Sequence, residues 1–440
     1  MINLLKKGWL SYQFSAAMKK GDRRQATKLL RQLKNHGISL SWQQHLYRDY
    51  LSLKLTLEQQ DKSIQNLNKK VETIDLKSNT LNIPSDFLGD DSILLPDSKV
   101  IQNIIQDFNI IKHNASMLQC TGIDPIVFDE IETHLADFIQ TELNQYCKKS
   151  NFKTLLNDAV QDLNKLKSGQ DPSYSFELSP HIYLMRYFLE HIYCAYLAWF
   201  LIYQSGQLPT HLNILDIAAG PSTVAYGLDL FLETLQKRID LPTTQISYYS
   251  LEKQDKFQYR GLQFWRRYIE QKQNPSNIYF RFDTQDFFNN PENFKKIPHQ
   301  FFDFVVISHC LFYDLQTRSK FNIIFNQVFL KSLKSDGFVL LIIQDKKLFQ
   351  AYNLNPCEHS DQESEIIDNL LAAMGLKLVW YKYLSSTNQR GAMKGREFAK
   401  FADDYLPPQL KMSQLANKYL GLKYNLNYKL DDYVILAQKS

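Results

Sequence analysis

Three acidic residues accompany three successive apolar runs in the second half of the chain. Asp216 lies near the end of residues 213–217, Glu252 directly follows residues 246–251, and Asp283 directly follows residues 278–282. If these runs are parallel strands, their carboxyl ends share the rim at which open α/β sheets bind ligands. A carboxylate at that rim can accept hydrogen bonds from both hydroxyls of a ribose. The three acids therefore predict a crevice that binds a nucleoside.

The turn after the first run is built from small residues. Ala218, Ala219, Gly220, Pro221 and Ser222 precede an apolar stretch with helical spacing. Small residues allow a ligand to approach the backbone, and the start of a helix offers free N–H groups. Such turns also serve tight packing of a helix on a strand, so this turn alone does not decide between the two roles.

The pattern of apolar residues after residue 207 predicts the strands and helices that would position these residues. Seven short apolar runs occur, at residues 213–217, 246–251, 278–282, 304–308, 338–343, 376–381 and 433–438. Helical stretches separate the first five, which is the rhythm of parallel βαβ units. The pattern predicts an α/β fold: a seven-stranded sheet with helices on both faces over residues 179–440 and an insertion at about residues 384–430.

Over residues 180–440 the order of these motifs resembles the class I S-adenosylmethionine-dependent methyltransferases. The resemblance is carried by Leu215-Asp216-x-Ala218-x-Gly220, Glu252, Asp283, and the runs that begin at Phe302 and Asp336. It implies a Rossmann-like methyltransferase sheet, an enzyme, and S-adenosylmethionine as the cofactor.

The resemblance also implies roles for individual residues. Asp216, Ala218 and Gly220 would hold the methionine part of the cofactor, Glu252 the ribose hydroxyls and Asp283 the adenine amino group, while Ser308 and His309 would line the pocket beside the transferred methyl. The family usually has glycine where this chain has Ala218 and Ser222. That departure keeps open an alternative, in which the fold no longer catalyses and acts as a binding or assembly factor.

The segment at residues 308–314 is the candidate for contact with the methyl acceptor. A base is needed only if the acceptor must lose a proton, and His309 or Tyr313 could be that base or simply part of the pocket wall. Amino-methylating DNA and RNA enzymes grip a flipped base with an Asn/Asp-Pro-Pro-aromatic tetrad. The segment at residues 308–314 does not contain this tetrad. This favours a small molecule or a protein side chain as the unidentified acceptor, with RNA as the alternative. No metal-ligand spacing is present.

The first 178 residues predict an all-α region. We expect helices over residues 1–78, a linker or long loop over 79–98, and helices over 99–178, with helix starts at Asp124-Pro125 and Ser179-Pro180. Residues 1–50 hold ten Lys and Arg against two acids. This basic segment could contact RNA or could be a solvated helix face. The heptad stripe over residues 57–74 fits a helical hairpin or a short coiled coil, so the oligomeric state stays open.

Composition excludes several classes of protein. Hydrophobic residues make up 44% of the 440 residues and charged residues 22%, which is typical of a globular chain with a full core. Five cysteines without a CxxC pair argue against a disulfide framework. The amino terminus is too polar for a signal peptide and the most apolar run is too short for a membrane span. These features predict a cytoplasmic protein without membrane contact.

Overall fold

A computed structural model describes residues 93–440 with short gaps, together with nine residues of the amino-terminal part. The gaps are residues 169, 171, 274, 287, 289–296, 313, 356–359, 391, 392 and 394, and the nine residues are 13, 14, 16, 17, 25, 27–29 and 32. The chain divides into two compact units, Met1–Gly89 and Asp90–Ser440. The nine residues of the first unit are helical. The heptad stripe and residues 79–92 of the expected linker lie outside the described residues, and the boundaries at 78, 98 and 178 stay predictions.

The described part of the second unit is built on one nine-stranded sheet. In chain order the strands are β1 (Ile110–Lys112), β2 (Met117–Cys120), β3 (His211–Ile217), β4 (Gln245–Glu252), β5 (Ile278–Thr284), β6 (Phe302–Ser308), β7 (Leu333–Gln344), β8 (Leu376–Ser385) and β9 (Asp431–Lys439). Their spatial order is β1-β2-β8-β9-β7-β6-β3-β4-β5. β9 runs antiparallel to β7 and β8, β1 runs antiparallel to β2, and the other pairs are parallel.

Helices cover both faces of this sheet. They are α1 (Ser98–Asp107), α2 (Pro125–Tyr146), α3 (Phe152–Leu163), α4 (Ser179–Arg186), α5 (Phe188–Gln204), α6 (Thr223–Gln236), α7 (Asp255–Tyr268), α8 (Leu315–Ile324), α9 (Asp345–Gln350), α10 (Ser360–Ala373), α11 (Gly395–Tyr405) and α12 (Leu410–Leu420). Short turns extend α3 at Asn164–Ser168, α7 at Ile269–Gln271, and α8 at Phe325–Phe329 and Leu330–Ser332.

Each central strand buries side chains on both faces. In β3, Ile214 belongs to the apolar core on the side of α5 and α6, whereas Leu215 belongs to the core on the side of α8 and α10. In β6, Val306 belongs to the core on the side of α5 and α6, and Val305 belongs to the core on the side of α8 and α10. Strands buried on both sides read as continuous apolar runs. All seven predicted runs are strands in the structure, although the edge strand β5 contains no buried residue.

The seven-strand count and the all-α expectation for residues 99–178 are wrong, because the hairpin β1–β2 adds two strands. The helix that opens this region ends early: α1 stops at Asp107, and Asn109 takes a φ of 44°. The chain then returns as β1 and β2, and β2 pairs with β8. Strands of three and four residues carry too little periodicity to be separated from a helix in the sequence.

The long helix expected from Ser179-Pro180 begins there but is broken at Tyr187. This residue has φ −128° and ψ −23°, which divides the segment into α4 and α5. The Asp124-Pro125 start is confirmed, since the Asp124 side chain accepts a hydrogen bond from the N–H of Ile126 at 3.0 Å. No helix in the described part of the chain combines the length and apolarity needed to cross a bilayer.

Candidate active site

The turn between β3 and α6 holds an unusual backbone conformation. Ala218, Gly220 and Ser222 have φ values of 56°, 53° and 63°. For a residue with a Cβ this left-handed conformation costs about 1–2 kcal/mol, and such strain is concentrated at functional sites. No described heavy atom outside the turn lies within 4 Å of the position that a Cβ on Gly220 would occupy. The backbone of the turn therefore borders open space.

Glu252 fixes this turn to the end of β4. Its Oε2 accepts a hydrogen bond from the N–H of Gly220 at 2.6 Å, and its Oε1 accepts one from Gln254 at 2.7 Å. Burial raises the pKa of Glu252, while these backbone donors act in the opposite direction. A carboxylate has about four acceptor positions, so two bonds leave capacity for the hydroxyls of a ligand.

Asp216 lies beside Glu252 and carries an unpartnered atom. The side chain is 1% exposed, and its Oδ2 accepts a hydrogen bond from the hydroxyl of Tyr248. Its Oδ1 is buried and has no hydrogen-bond partner among the described residues. Burial, with a contribution from the charge of Glu252, raises the pKa of Asp216 to about 7. A buried acceptor left free in this way fits a ligand that donates a hydrogen bond or carries positive charge.

Asp283 lies one strand further along the rim. It sits in β5 opposite Leu251, next to Glu252 in the register, and its side chain is partly exposed. Its Oδ2 accepts a hydrogen bond from the hydroxyl of Tyr249 at 2.7 Å. The structure thus brings Asp216, Ala218, Gly220 and Glu252 together at two adjacent strand ends, with Asp283 at the next strand.

Ser308 and His309 lie at the end of β6, which is the neighbour of β3 on the side away from β4. The Oγ of Ser308 lies 2.8 Å from Nδ1 of His309, and Nε2 of His309 lies 3.2 Å from Oδ1 of Asp432. His309 also has a left-handed backbone, with φ 55°. The other candidate base, Tyr313, lies outside the described residues.

Sequence reasoning did not single out Asp432. It stands at the start of β9, and because β9 is antiparallel, its beginning meets the rim where the parallel strands end. The signal was an Asp431-Asp432 pair directly before an apolar run. Using that signal requires the direction of the final strand, which periodicity does not give.

The break between α4 and α5 brings the side chains of Tyr183 and His191 together next to His309. Residues eight apart in one straight helix would be about 12 Å apart along its axis. Here the hydroxyl of Tyr183 lies 2.8 Å from Nδ1 of His191, and the His191 ring stacks on His309 with centroids 3.7 Å apart. Burial, with the neighbouring His309, lowers the pKa of His191 well below its usual value, which keeps this ring neutral. The guanidinium of Arg186, also in α4, donates a hydrogen bond to Oδ1 of Asn164 at 3.1 Å.

Cys194 completes a group of possible metal ligands with His309 and Asp432. The ligand atoms of these three residues lie within 4.8 Å of one another. Cys194 is fully buried in α5, where we interpret it as a packing residue. Nε2 of His309 and Oδ1 of Asp432 are within ion-pair distance of each other.

Comparisons with known proteins give a resemblance of fold. The chain matches no protein-family model and no curated protein. It resembles solved structures of S-adenosylmethionine-dependent methyltransferases. One from Methanosarcina mazei is 14% identical, with a TM-score of 0.30 over 53% of this chain and 94% of that chain. A class I enzyme from Listeria monocytogenes is 12% identical, with a TM-score of 0.35 over 72% and 89%.

A further similar structure is the fibrillarin pre-rRNA processing protein of Methanococcus jannaschii. It is 11% identical, with a TM-score of 0.27 over 52% of this chain and 67% of that chain. Because identities and scores of this size describe architecture alone, the function has to be argued from the residues of this chain.

Proposed function

We propose that this protein is a class I methyltransferase that uses S-adenosylmethionine. The observation that carries the proposal is the contact between Glu252 and Gly220 beside the unpartnered Oδ1 of Asp216. This contact brings three features to neighbouring strand ends: Glu252 as an acceptor for hydroxyl groups, the unpartnered Oδ1 of Asp216, and the backbone of the turn at Gly220. This is the place where open α/β sheets bind nucleotides.

The residues present fit this cofactor. The Oδ1 of Asp216 would accept from the ammonium of its methionine part, Glu252 would take the ribose hydroxyls and Asp283 the adenine amino group. The cofactor supplies a methyl group activated by a sulfonium. Two acids in a low-dielectric crevice favour a positively charged ligand, because each buried carboxylate gains a counter-charge.

The protein's own contribution to the reaction would be alignment and the handling of one proton. Nε2 of His309 lies 3.2 Å from Oδ1 of Asp432 without a hydrogen bond between them, and Nδ1 of His309 lies 2.8 Å from Oγ of Ser308. His309 is then the candidate base for an acceptor that must lose a proton, with Asp432 stabilising the imidazolium. The stacked ring of His191 fixes the plane of His309 and covers it on one side.

For the acceptor we favour a small molecule or a protein side chain. The acid-rich rim supports this choice, since carboxylates repel the phosphates of a nucleic acid. RNA is the second candidate, and the ten basic residues among residues 1–50 support it. Binding of bulk tRNA that weakens steeply with salt and disappears when residues 1–50 are deleted would favour RNA; unchanged mobility at low salt would count against it.

The test of the main proposal is calorimetry with S-adenosylhomocysteine. The wild-type protein should bind, and Glu252→Ala should weaken binding by about tenfold or more, because it removes the hydroxyl acceptor and releases the Gly220 turn. Glu365→Ala removes an exposed carboxylate from α10 and should leave affinity unchanged. A folded wild-type protein that gives no heat would instead support a binding or assembly factor.

A further inference from the structure

A second group of acids lines the rim beyond His309, where β7 and β9 meet. Asp345 directly follows β7, and Asp431 and Asp432 open β9, with Asp432 opposite Gln344 in the register. Asp345 is 1% exposed and Asp432 is 7% exposed. The group is continuous with the candidate active site, because Asp432 is the residue that contacts His309.

Buried atoms in this group lack partners. The Oδ1 of Asp345 has no hydrogen-bond partner among the described residues, and the same holds for Oε1 of Glu363, which packs against Tyr433. The charges of Asp431, Asp432 and Glu363 act on Asp345, and a hydrogen bond with Tyr433 opposes their effect. A fully buried acceptor aimed into a cluster of like charge is costly unless a ligand satisfies it.

In the described part of the chain, the Lys and Arg ion pairs of the region engage Glu363 and Glu190, and none of them engages Asp345. Arg390 pairs with Glu363 at 2.7 Å, and Lys429 pairs with Glu190 at 3.5 Å. Burial and mutual repulsion accordingly raise the pKa of Asp345 to about 8 and that of Asp431 to about 6. The cluster would gain free energy from one more positive charge.

Aromatic rings border the same acids. The hydroxyl of Tyr383 donates to Oδ1 of Asp431 at 2.7 Å, and the rings of Tyr383 and Tyr433 stack with centroids 4.8 Å apart. Carboxylates beside tyrosine rings suit ammonium and guanidinium groups, which combine ionic hydrogen bonds with cation–π contact.

The spacing of the acids favours an organic cation over a metal ion. Among the described residues, the one group of three or more possible ligands that converges within 4.8 Å is Cys194, His309 and Asp432. Asp345 and Asp431 are not part of it. A planar guanidinium or an alkylammonium can bridge carboxylates that are too far apart for one metal ion.

We propose that the methyl acceptor carries a guanidinium or ammonium group and that Asp345, Asp431 and Asp432 bind it. This inference rests on the proposed function. It names the chemical class of the acceptor and places its cationic group on the side of His309 away from Glu252.

The test uses butylguanidinium and butylammonium as probes and butylurea as the neutral match for the first. Calorimetry on the full chain, saturated with S-adenosylhomocysteine, should show saturable binding of the cations and none of butylurea. Asp345→Asn and Asp431→Asn should each weaken cation binding by about tenfold or more. Asp336→Asn, at an exposed position of β7, is the matched control and should bind as the wild type does.

Affinity for S-adenosylhomocysteine, measured in each variant, separates the two proposals and reports a folded site. Cation binding that is absent, or equal in wild type and Asp345→Asn, while S-adenosylhomocysteine still binds would overturn the acceptor assignment alone. Binding of Mg²⁺ or Zn²⁺ at these acids in place of the probes would do the same. Failure of S-adenosylhomocysteine to bind the wild type would remove the proposed function with it.

Discussion

Three residues at the ends of β3 and β6 hold a left-handed backbone without being glycine, namely Ala218, Ser222 and His309. Each adopts the conformation because the chain turns sharply at a strand end while its neighbours are fixed, as Glu252 fixes the first turn. Ala218 is partly exposed, and its φ of 56° is the conformation that glycine adopts without cost. It is therefore an accessible target for stabilisation.

At this scale we predict that Ala218→Gly stabilises the protein by about 1 kcal/mol, since removing the Cβ abolishes the left-handed penalty and outweighs the added entropy of the unfolded chain. Urea unfolding measures the change. Ala372→Gly, at an exposed position of α10, makes the same chemical change in a helix and should instead cost about 0.5–1 kcal/mol. A lower unfolding midpoint for Ala218→Gly would show that the methyl group supports the turn.

Sequence reasoning places individual residues well when they follow a strand directly. Asp216, Glu252 and Asp283 stand at the strand ends that their apolar runs indicate, although their roles toward a cofactor stay predictions. Asp432 and His191 are different, because they reach the crevice through the reversed direction of β9 and the break at Tyr187. Neither feature leaves a periodic signal, so their partnership with His309 emerges only from tertiary structure.

Among the elements, α7 packs closely against the turn that joins β3 to α6. A Cβ on Gly261 of this helix would lie 2.3 Å from the carbonyl oxygen of Pro221, and both are backbone positions that side-chain motion cannot relieve. The absence of a side chain at this one position lets the helix rest on the turn. The turn is thus held from one side by Glu252 and from the other by α7.

We therefore expect Gly261→Ala to destabilise the protein by about 1–3 kcal/mol and to weaken binding of S-adenosylhomocysteine, since α7 or the turn must move. Gly395→Ala is the matched control, because a Cβ there, at the start of α11, meets no described atom within 4 Å. Urea unfolding and calorimetry report the two effects. Unchanged affinity together with reduced stability would mean that α7 yields while the turn keeps its place.

The elements that the sequence predicts are those with long or doubly buried patterns. All seven runs form strands, the central ones because both faces of the sheet are covered there, and Asp124-Pro125 opens α2 through a side-chain cap. The hairpin β1–β2 escapes prediction because it is short and follows a helix with the same apolar residues. Its pairing with β8 is a contact across more than 250 residues, and local patterns carry no information about it.

For the whole molecule, the buried acids make stability depend on pH. An unfolded Asp releases its proton near pH 3.8, whereas folded Asp345 holds it up to about pH 8 and folded Asp216 up to about pH 7. The folded state therefore binds more protons over this interval. Stability is greatest below the unfolded pKa and falls as the pH rises through the folded values. The charges of Asp431, Asp432 and Glu363 act in the same direction on Asp345.

We predict that the free energy of unfolding decreases by about 1 kcal/mol or more between pH 6 and pH 9, and that Asp345→Asn flattens this dependence. Urea titrations across the interval measure it, with Asp336→Asn keeping the wild-type slope. Equal slopes for Asp345→Asn and wild type would show that this carboxyl is already ionised and paired in the folded state.

The placement of β9 has a consequence for biosynthesis. This strand lies between β7 and β8 in the sheet, although it follows both along the chain. Both neighbours leave the ribosome before the strand that joins them, and each then exposes an edge able to template aggregation. Asp431 and Asp432 begin β9. They therefore reach the rim of the sheet only when β9 pairs with β7 and β8. Nascent chains would expose these two edges until β9 has been synthesised, and the acids of β9 could engage a ligand only after that.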